Sequence, residues 1–511
     1  MEKKIDIMIL LGGIVLGIVI LLMYSLSTSP LTYNYFQTDS AFFQGVGKQM
    51  TDGVVMYRDI FDEKGPFLFL LEYLGYFCGL GRYGIFLIQS IFLGVSIYLL
   101  YRILGIFAIG NSSRAFVLSL AIFFYYFSFT VDGGNLTEEY SLPFLFISFY
   151  LFARFLIQGE YRRTDMFVHG ICFGLIALLR VTNGVFISVC VLCSFIILLR
   201  ERGILTALIE TVKGIAGIVA AFMPFALYYA IKGALWDMIY ATFIFAFQYA
   251  VDDSLAHKIQ SCRWQLELPL VLLSVYAIAA FRKEYKKVLF LSLSLVLHLF
   301  ILLLGNAYVH YYLILLVPVI AVFIMVYRHT EEEGKTPILL AGWLVVTLLA
   351  CFPYFVLHSG RAVTVFMLNS PERAETAAGE FFRQFDELES EDFRGYEKLE
   401  EYEDIVAHIP EEDWDSVYSY SGGPGWLLFS GMPPYFKYCQ TAESFSSISP
   451  KVAAEIDEMF EKNPPKYVIT GTGKGFANAS VARTIGSEYE AEYQNDLLTL
   501  NMRKGAGKDK R

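Results

Sequence analysis

Asp39 and the run Asp62-Glu63-Lys64-Gly65-Pro66 are the residues of this chain best suited to chemistry, and both lie in one polar stretch between two apolar segments. A bilayer offers a carboxylate few places, so an acid at such a depth reads as functional. Asp39 suits a general base that takes a proton from an acceptor hydroxyl. The alternative is a helix cap, because Thr38-Asp39-Ser40 precedes a helical run and such residues favour the N-cap. Lys64 offers a compact cation for phosphate. Gly65 permits close backbone approach, and Pro66 suits a first helical position. A phosphate beside Lys64 would then also meet a helix N-terminus. The alternative is an interfacial lysine contacting lipid headgroups. An acid and an acid–lysine pair at one membrane face together point to chemistry on a charged, lipid-linked substrate.

Further candidates fall at other helix ends. Asp132-Gly133-Gly134-Asn135-Leu136-Thr137-Glu138-Glu139-Tyr140 brings two acids into a first helical turn. Glu138 or Glu139 could supply a second acid, a metal ligand or an acceptor contact, and dipole stabilisation of the helix start is the competing role. Arg180 ends an apolar block and suits bidentate phosphate binding, against snorkelling to the interface. His310, in His310-Tyr311-Tyr312, suits a hydrogen bond to phosphate or sugar, against a structural role. Gly471-Thr472-Gly473-Lys474-Gly475 lacks the spacing of a P-loop. Cys190 and Cys193 form a C-x-x-C inside an apolar block without His or further Cys nearby, which favours packing over redox or zinc chemistry.

The elements that must position these residues are membrane helices. Of 511 residues 56% are hydrophobic, and the apolar residues come in blocks. The blocks are Ile5–Leu26, Ile85–Phe107, Ala115–Val131, Leu142–Leu156, Phe167–Leu179, Val185–Leu199, Ile204–Ile231, Leu268–Phe281, Val288–Leu304, Tyr308–Val326 and Pro337–Leu357. Spanning takes roughly 20 apolar residues, so the sequence predicts a polytopic α-helical membrane protein with about eleven transmembrane helices. Ile5–Leu26 is too long for a usual signal core and reads as a retained first helix. With a cytoplasmic N-terminus, every short loop assigned inside is basic, as the positive-inside rule requires. That orientation puts 27–82, 232–265 and the carboxy-terminal residues outside. Ala41–Met50 and Pro66–Leu80 read as amphipathic helices in the first of these segments.

The net charge of −10 is uneven: from Arg361 onward there are 27 acidic and 16 basic residues, leaving 23 and 24 before it. The acidic balance belongs to the tail and argues against nucleic acid as a partner. The expected organisation is a membrane domain over 1–358, with a first outer loop at 27–82. A soluble extracytoplasmic mixed α/β domain follows over 359–503, and then a basic disordered end over 504–511. Within the tail, Thr376–Leu399 reads as largely helical with a break at Gly395, and Pro424–Ser430 as the start of a helix. Ser416–Tyr420 and Lys466–Thr470 read as strands, and Glu490–Gln494 with Leu498–Met502 as a hairpin around Asn495-Asp496.

Thr38-Asp39-Ser40, Gly53-Val54-Val55-Met56-Tyr57-Arg58-Asp59 and Glu63-Lys64-Gly65-Pro66 resemble the first outer loop of bacterial GT-C glycosyltransferases. The nearer group is the protein mannosyltransferase-like and aminoarabinose transferase-like enzymes. Asn135–Tyr140, Arg180 and His310-Tyr311-Tyr312-Leu313 with Pro318 are similar to that group's outer-loop and late-helix patterns. The resemblance covers the membrane part, about two-thirds of the chain. It implies inverting transfer of a sugar from a polyprenyl-phosphate carrier to an extracytoplasmic acceptor: a cell-wall polymer, a glycolipid or a protein. Asp39 then matches the general base, and Glu63 with Lys64 the acid–lysine pair near the donor phosphate. Glu138 falls near the second-loop acid, where several relatives have Asp. Some members use a divalent cation and others do not, so the resemblance leaves the metal unknown, with Glu63 and Glu139 as acceptor or metal candidates. The implied partners are the polyprenyl-phosphate-linked sugar, membrane lipids and a cell-envelope acceptor. The competing functions are a transporter or flippase of a lipid-linked sugar and a non-catalytic membrane scaffold. A transporter would place its polar sites at the midplane on repeated, broken helices.

Overall fold

A computed structural model describes residues 2–32, 35–110, 114, 117–118, 121, 132–248, 255–304, 308–332, 367, 371–388, 396–440, 442–473, 475–476 and 478–506. In chain order the longer elements are α1 (Glu2–Tyr24), β1 (Tyr35–Gln37), α2 (Thr38–Thr51), α3 (Pro66–Phe77), α4 (Arg82–Ile106) and α5 (Thr137–Ala153). Next come α6 (Asp165–Arg180), α7 (Val185–Arg202), α8 (Ile204–Ile231), α9 (Leu235–Ile239), α10 (Leu255–Leu304) and α11 (Leu316–Glu332). Beyond them lie α12 (Ala377–Leu388), β2 (Tyr396–Lys398), α13 (Leu399–Val406), β3 (Val417–Ser419), α14 (Trp426–Phe429), α15 (Ala442–Ile448) and α16 (Pro450–Lys462). The chain closes with β4 (Tyr467–Gly471), α17 (Ala479–Glu488), β5 (Tyr489–Gln494) and β6 (Leu498–Arg503).

Among the described residues, seven helical stretches are long and apolar enough to cross a membrane, and the chain is a polytopic helical membrane protein. One of the seven, Asp165–Arg202, holds two helices joined by the 3-10 turn Val181–Gly184. Two expected blocks, 115–131 and 337–357, lie largely or wholly outside the described residues. The expected helices Leu268–Phe281 and Val288–Leu304 are two helices that meet at a kink at Glu284 (φ −126°, ψ 31°), and α10 denotes both. The segment 232–265, expected outside, is mostly helical: α9 runs into a π-helical turn at Tyr240–Phe245, and α10 begins at Leu255. Two of its aromatics, Tyr240 and Phe245, lie 6.3 and 5.1 Å from the ring of Phe61, while Trp236 is exposed.

The structure divides into two compact units. The helical unit holds residues 1–25, 87–227 and 250–363. Small residues bring its helices together: a Cβ at Gly13 would stand 2.8 Å from the Gly94 carbonyl oxygen. A Cβ at Gly170 would fall on the Gly214 carbonyl oxygen, and one at Gly174 would lie 2.7 Å from Ala221 Cβ. Such close approach is how helices associate where lipid gives no hydrophobic drive.

The mixed unit holds residues 26–86, 228–249 and 364–511. The 27–82 segment, expected within the membrane domain, groups here with the carboxy-terminal residues. Tyr35–Gln37 pairs antiparallel with Tyr396–Lys398. Lys48 Nζ donates to the Leu428 carbonyl at 2.8 Å, Gln49 Nε2 to the Met432 carbonyl at 2.8 Å, and Phe61 N to the Lys437 carbonyl at 2.8 Å. Thr376–Leu399, read as largely helical with a break at Gly395, contains α12 and, directly after Gly395, strand β2; 389–395 lie outside the described residues. A three-residue strand is too short to carry an alternating pattern, and β1 supplies its hydrogen bonds. The remaining strands form a sheet in the order β3-β4-β6-β5, with β3 and β4 parallel and the other pairs antiparallel. All four strands and the Asn495 turn fall where the sequence puts them. Asn495 Oδ1 accepts from the amides of Leu497 and Leu498 and closes the hairpin. The sheet packs Val417, Ile469 and Leu500 against Tyr402, Ile405 and Trp426.

Candidate functional site

The polar residues form two clusters, one in each unit. In the mixed unit, α2 begins at Thr38, and its N-cap is Gln37, whose Oε1 accepts from Ser40 N at 2.8 Å. Asp39 therefore does not cap the helix. It sits half-buried in the first turn, where the helix dipole favours a negative charge. The competing structural role considered from the sequence is filled by another residue.

The second part of this cluster is a tight loop. Tyr57 is almost fully buried in a left-handed conformation (φ 73°) that a bulky residue seldom adopts. Its hydroxyl donates to the Lys64 carbonyl at 2.7 Å, which closes the loop from 57 to 64. Asp59 accepts from Val55 N at 2.8 Å and from Arg58 Nε and Nη2 at 2.7 Å each. Lys64 Nζ is ion-paired with Glu63, their side chains 11% and 10% exposed. Lys64 Nζ also lies 6.0 Å from the Phe43 ring centroid on α2. Asp62 is 5% exposed, and its carboxylate accepts from Lys64 N at 2.9 Å. Burial pushes its carboxyl well above the usual carboxylate range; Glu63 and Asp39 push the same way, and Lys64 and its amide oppose them. Asp62 thus feels both Asp39 and the Glu63–Lys64 pair, so residues far apart in sequence share one electrostatic neighbourhood. The sequence assigns Asp62 no role, because nothing in a single sequence shows which of two adjacent acids pairs with Lys64.

In the helical unit, four successive residues have positive φ: Asp132 (41°), Gly133 (81°), Gly134 (85°) and Asn135 (66°). This strained turn enters α5, and Glu139 holds it. Glu139 Oε2 accepts from Asn135 N at 2.6 Å and from Gln89 Nε2 at 2.9 Å. Tyr140 Oη donates to Asn135 Oδ1 at 2.5 Å. The two acids differ in their partners: Glu139 fastens the turn, and Glu138 pairs with Arg180. The Glu138–Arg180 ion pair measures 3.1 Å, with Glu138 1% exposed and Arg180 23% exposed. Arg180 stacks its guanidinium on Tyr311, 3.3 Å from the ring centroid. His310 Nδ1 lies 3.1 Å from Asp132 Oδ2 and packs edge-on against Tyr311 at 4.6 Å. Glu138, Arg180 and His310, picked separately from the sequence, therefore form one cluster; Asp132 and Tyr311 complete it and were not singled out. Their signals were present in the Asp-Gly-Gly-Asn turn and the His-Tyr-Tyr run.

Among the described residues, no group of three or more His, Cys, Asp and Glu side chains is gathered as metal ligands. Glu63 is paired with Lys64, and Glu139 with the amides of Asn135 and Gln89.

With this geometry in hand, comparison with solved structures defines the fold. The chain aligns over 97% of its length with 98% of ArnT from Cupriavidus metallidurans bound to undecaprenyl phosphate, at TM-score 0.56 and 13% identity. Against apo ArnT from the same organism it aligns over 96% of its length with 97% of that chain, at TM-score 0.54 and 14% identity. The protein has the GT-C membrane fold that the first-loop residues resemble. Residues 2–336 match the family model of the competence-induced protein Ccs4 N-terminal domain, and the chain belongs to that family. Among curated proteins, none matches the sequence.

Proposed function

We propose that this protein is an inverting glycosyltransferase that moves a sugar from a polyprenyl-phosphate carrier to an extracytoplasmic acceptor. The observation that carries the reading is the gathering of Asp39, Asp62, Glu63 and Lys64 in one shielded neighbourhood of a GT-C fold. Undecaprenyl phosphate bound to ArnT, a protein aligned along nearly its whole length, supports the choice of carrier.

In this reading Asp39 takes the proton of an acceptor hydroxyl. The hydroxyl oxygen bonds to the anomeric carbon, the bond from that carbon to the phosphate oxygen breaks, and its electron pair stays on the lipid phosphate. Lys64 stabilises the negative charge that develops there, the kind of electrostatic contribution that is often the largest in catalysis. Glu63 holds Lys64 until phosphate competes for it. Arg180 and His310 are further phosphate-binding residues, and Glu138 orients Arg180 as the second acid. The N-terminus is cytoplasmic and the carboxy-terminal residues are extracytoplasmic.

The test is release of free polyprenyl phosphate by the purified protein given a panel of polyprenyl-phosphate sugars and a cell-envelope extract as acceptor. The parent should release carrier, and Asp39→Asn should lose at least ~10²-fold, the usual share of a general base. Lys64→Ala should weaken use of the donor more than use of the acceptor. Equal release by parent and Asp39→Asn would remove the base, and no release from any donor by folded parent would remove the reaction.

A further inference from the structure

A cleft of 480 Å³ opens in the mixed unit between the end of α2 and the segment before Tyr438. Asp52, Arg58 and Asp59 line one wall, and Tyr435, Phe436 and Lys437, following two prolines, line the other. Its volume falls in the roughly 300–1,000 Å³ range of small-molecule sites.

The lining is both charged and apolar, and three of its four charges are held in place. Arg58 gives two N–H groups to Asp59 at 2.7 Å, and its remaining donors are unused by that pair. The hydrogen bonds from Arg58 hold the Asp59 carboxyl below the usual carboxylate range. Lys437 is fixed by Glu455 at 2.7 Å and lies 5.0 Å from the Tyr438 ring centroid. Asp52, at the C-cap of α2, is exposed and carries no side-chain hydrogen bond among the described residues.

This set selects against most ligands. A free anion meets Asp52 and Asp59, and a free cation meets Arg58 and Lys437. An apolar segment would strip water from four charges without replacing their hydrogen bonds, at a cost of several kcal/mol. A sugar ring avoids all three penalties. Its hydroxyls donate to carboxylates and accept from Arg and Lys, and its C–H face lies on proline and aromatic rings.

We propose that this cleft binds the sugar rings of the acceptor glycan. The assignment of the glycan as acceptor rests on the transferase reading above; binding itself does not. The site joins the loop that carries Asp39 and Lys64 to the carboxy-terminal residues, and so gives the latter a role in choosing the acceptor.

Saturation-transfer NMR on the full-length protein, in a detergent without a sugar head group, tests it with mannotriose, cellotriose and chitotriose. The parent should saturate ring protons of at least one trisaccharide. Asp52→Asn and Arg58→Gln should each bind it ~10-fold more weakly, the effect of losing one hydrogen bond to a charged group. Asp39→Asn should bind it as the parent does. Saturation of none of the three glycans, or equal saturation in the parent and both cleft variants, would overturn the proposal. Glycan binding without carrier release in any assay would instead sink the transferase reading and leave the cleft as a glycan site.

Discussion

At the scale of single residues, Asp62 makes the sharpest demand. Its folded pKa lies well above its ordinary value because burial disfavours the charge, with Glu63 and Asp39 adding to it. The folded state therefore holds this proton more tightly than the unfolded chain. Its contribution to stability is fully present below the unfolded pKa of about 4. It declines as pH rises toward the folded pKa, by at most roughly 1.4 kcal/mol per pH unit, and is lost above it. Asp62→Asn retains an acceptor for Lys64 N and has no proton to lose. Its thermal midpoint should match the parent's near pH 4 and exceed it at pH 8. Parallel curves across that range would show that Asp62 titrates normally. Asp39 makes the contrasting case: Gln37 already serves the helix start, so Asp39→Asn is expected to cost turnover with little change in midpoint. A comparable fall in both would return Asp39 to a structural role.

At the scale of elements, helix packing sets the next prediction. Gly170→Ala gains the better helix former, worth about 1 kcal/mol. The added Cβ meets the Gly214 backbone, which cannot move aside like a side-chain tip. Overpacking of that kind costs roughly 1–3 kcal/mol, so the thermal midpoint should fall. Gly12→Ala, with nothing within 4 Å, is the control and should leave it unchanged or raised. Equal shifts would mean that the helices can separate at no cost. The spacings Gly13-x-x-x-Gly17 and Gly170-x-x-x-Gly174 are legible in the sequence as helix contact faces. Long apolar helices were legible because twenty residues of one character outweigh any local ambiguity. α16 and α17 went unread because each is short and takes its stability from the sheet beneath it. The ion pair of Glu138 with Arg180 was not legible as a pair. Each residue stood out alone at a helix end, and only the packing of α5 beside α6 joins them.

At the scale of the whole molecule, the carboxy-terminal residues form one unit with the 26–86 segment. Ending the chain at residue 363 removes the partner of β1 and the acceptors of Lys48 and Gln49. The shortened protein should insert in membranes, release no polyprenyl phosphate, and become sensitive to trypsin at Lys48, Arg58 and Lys64. Undiminished release would show that the loop keeps its form without them. The Lys48 bond to the Leu428 carbonyl also carries a timetable, because its partners stand 380 positions apart. A ribosome adding roughly 5–20 residues per second needs about 20–75 s to travel from one to the other. During that interval the newborn segment bearing Asp39 has no strand to pair with, so a chain cut short by a late stop codon or a stalled ribosome would reach the membrane unarmed.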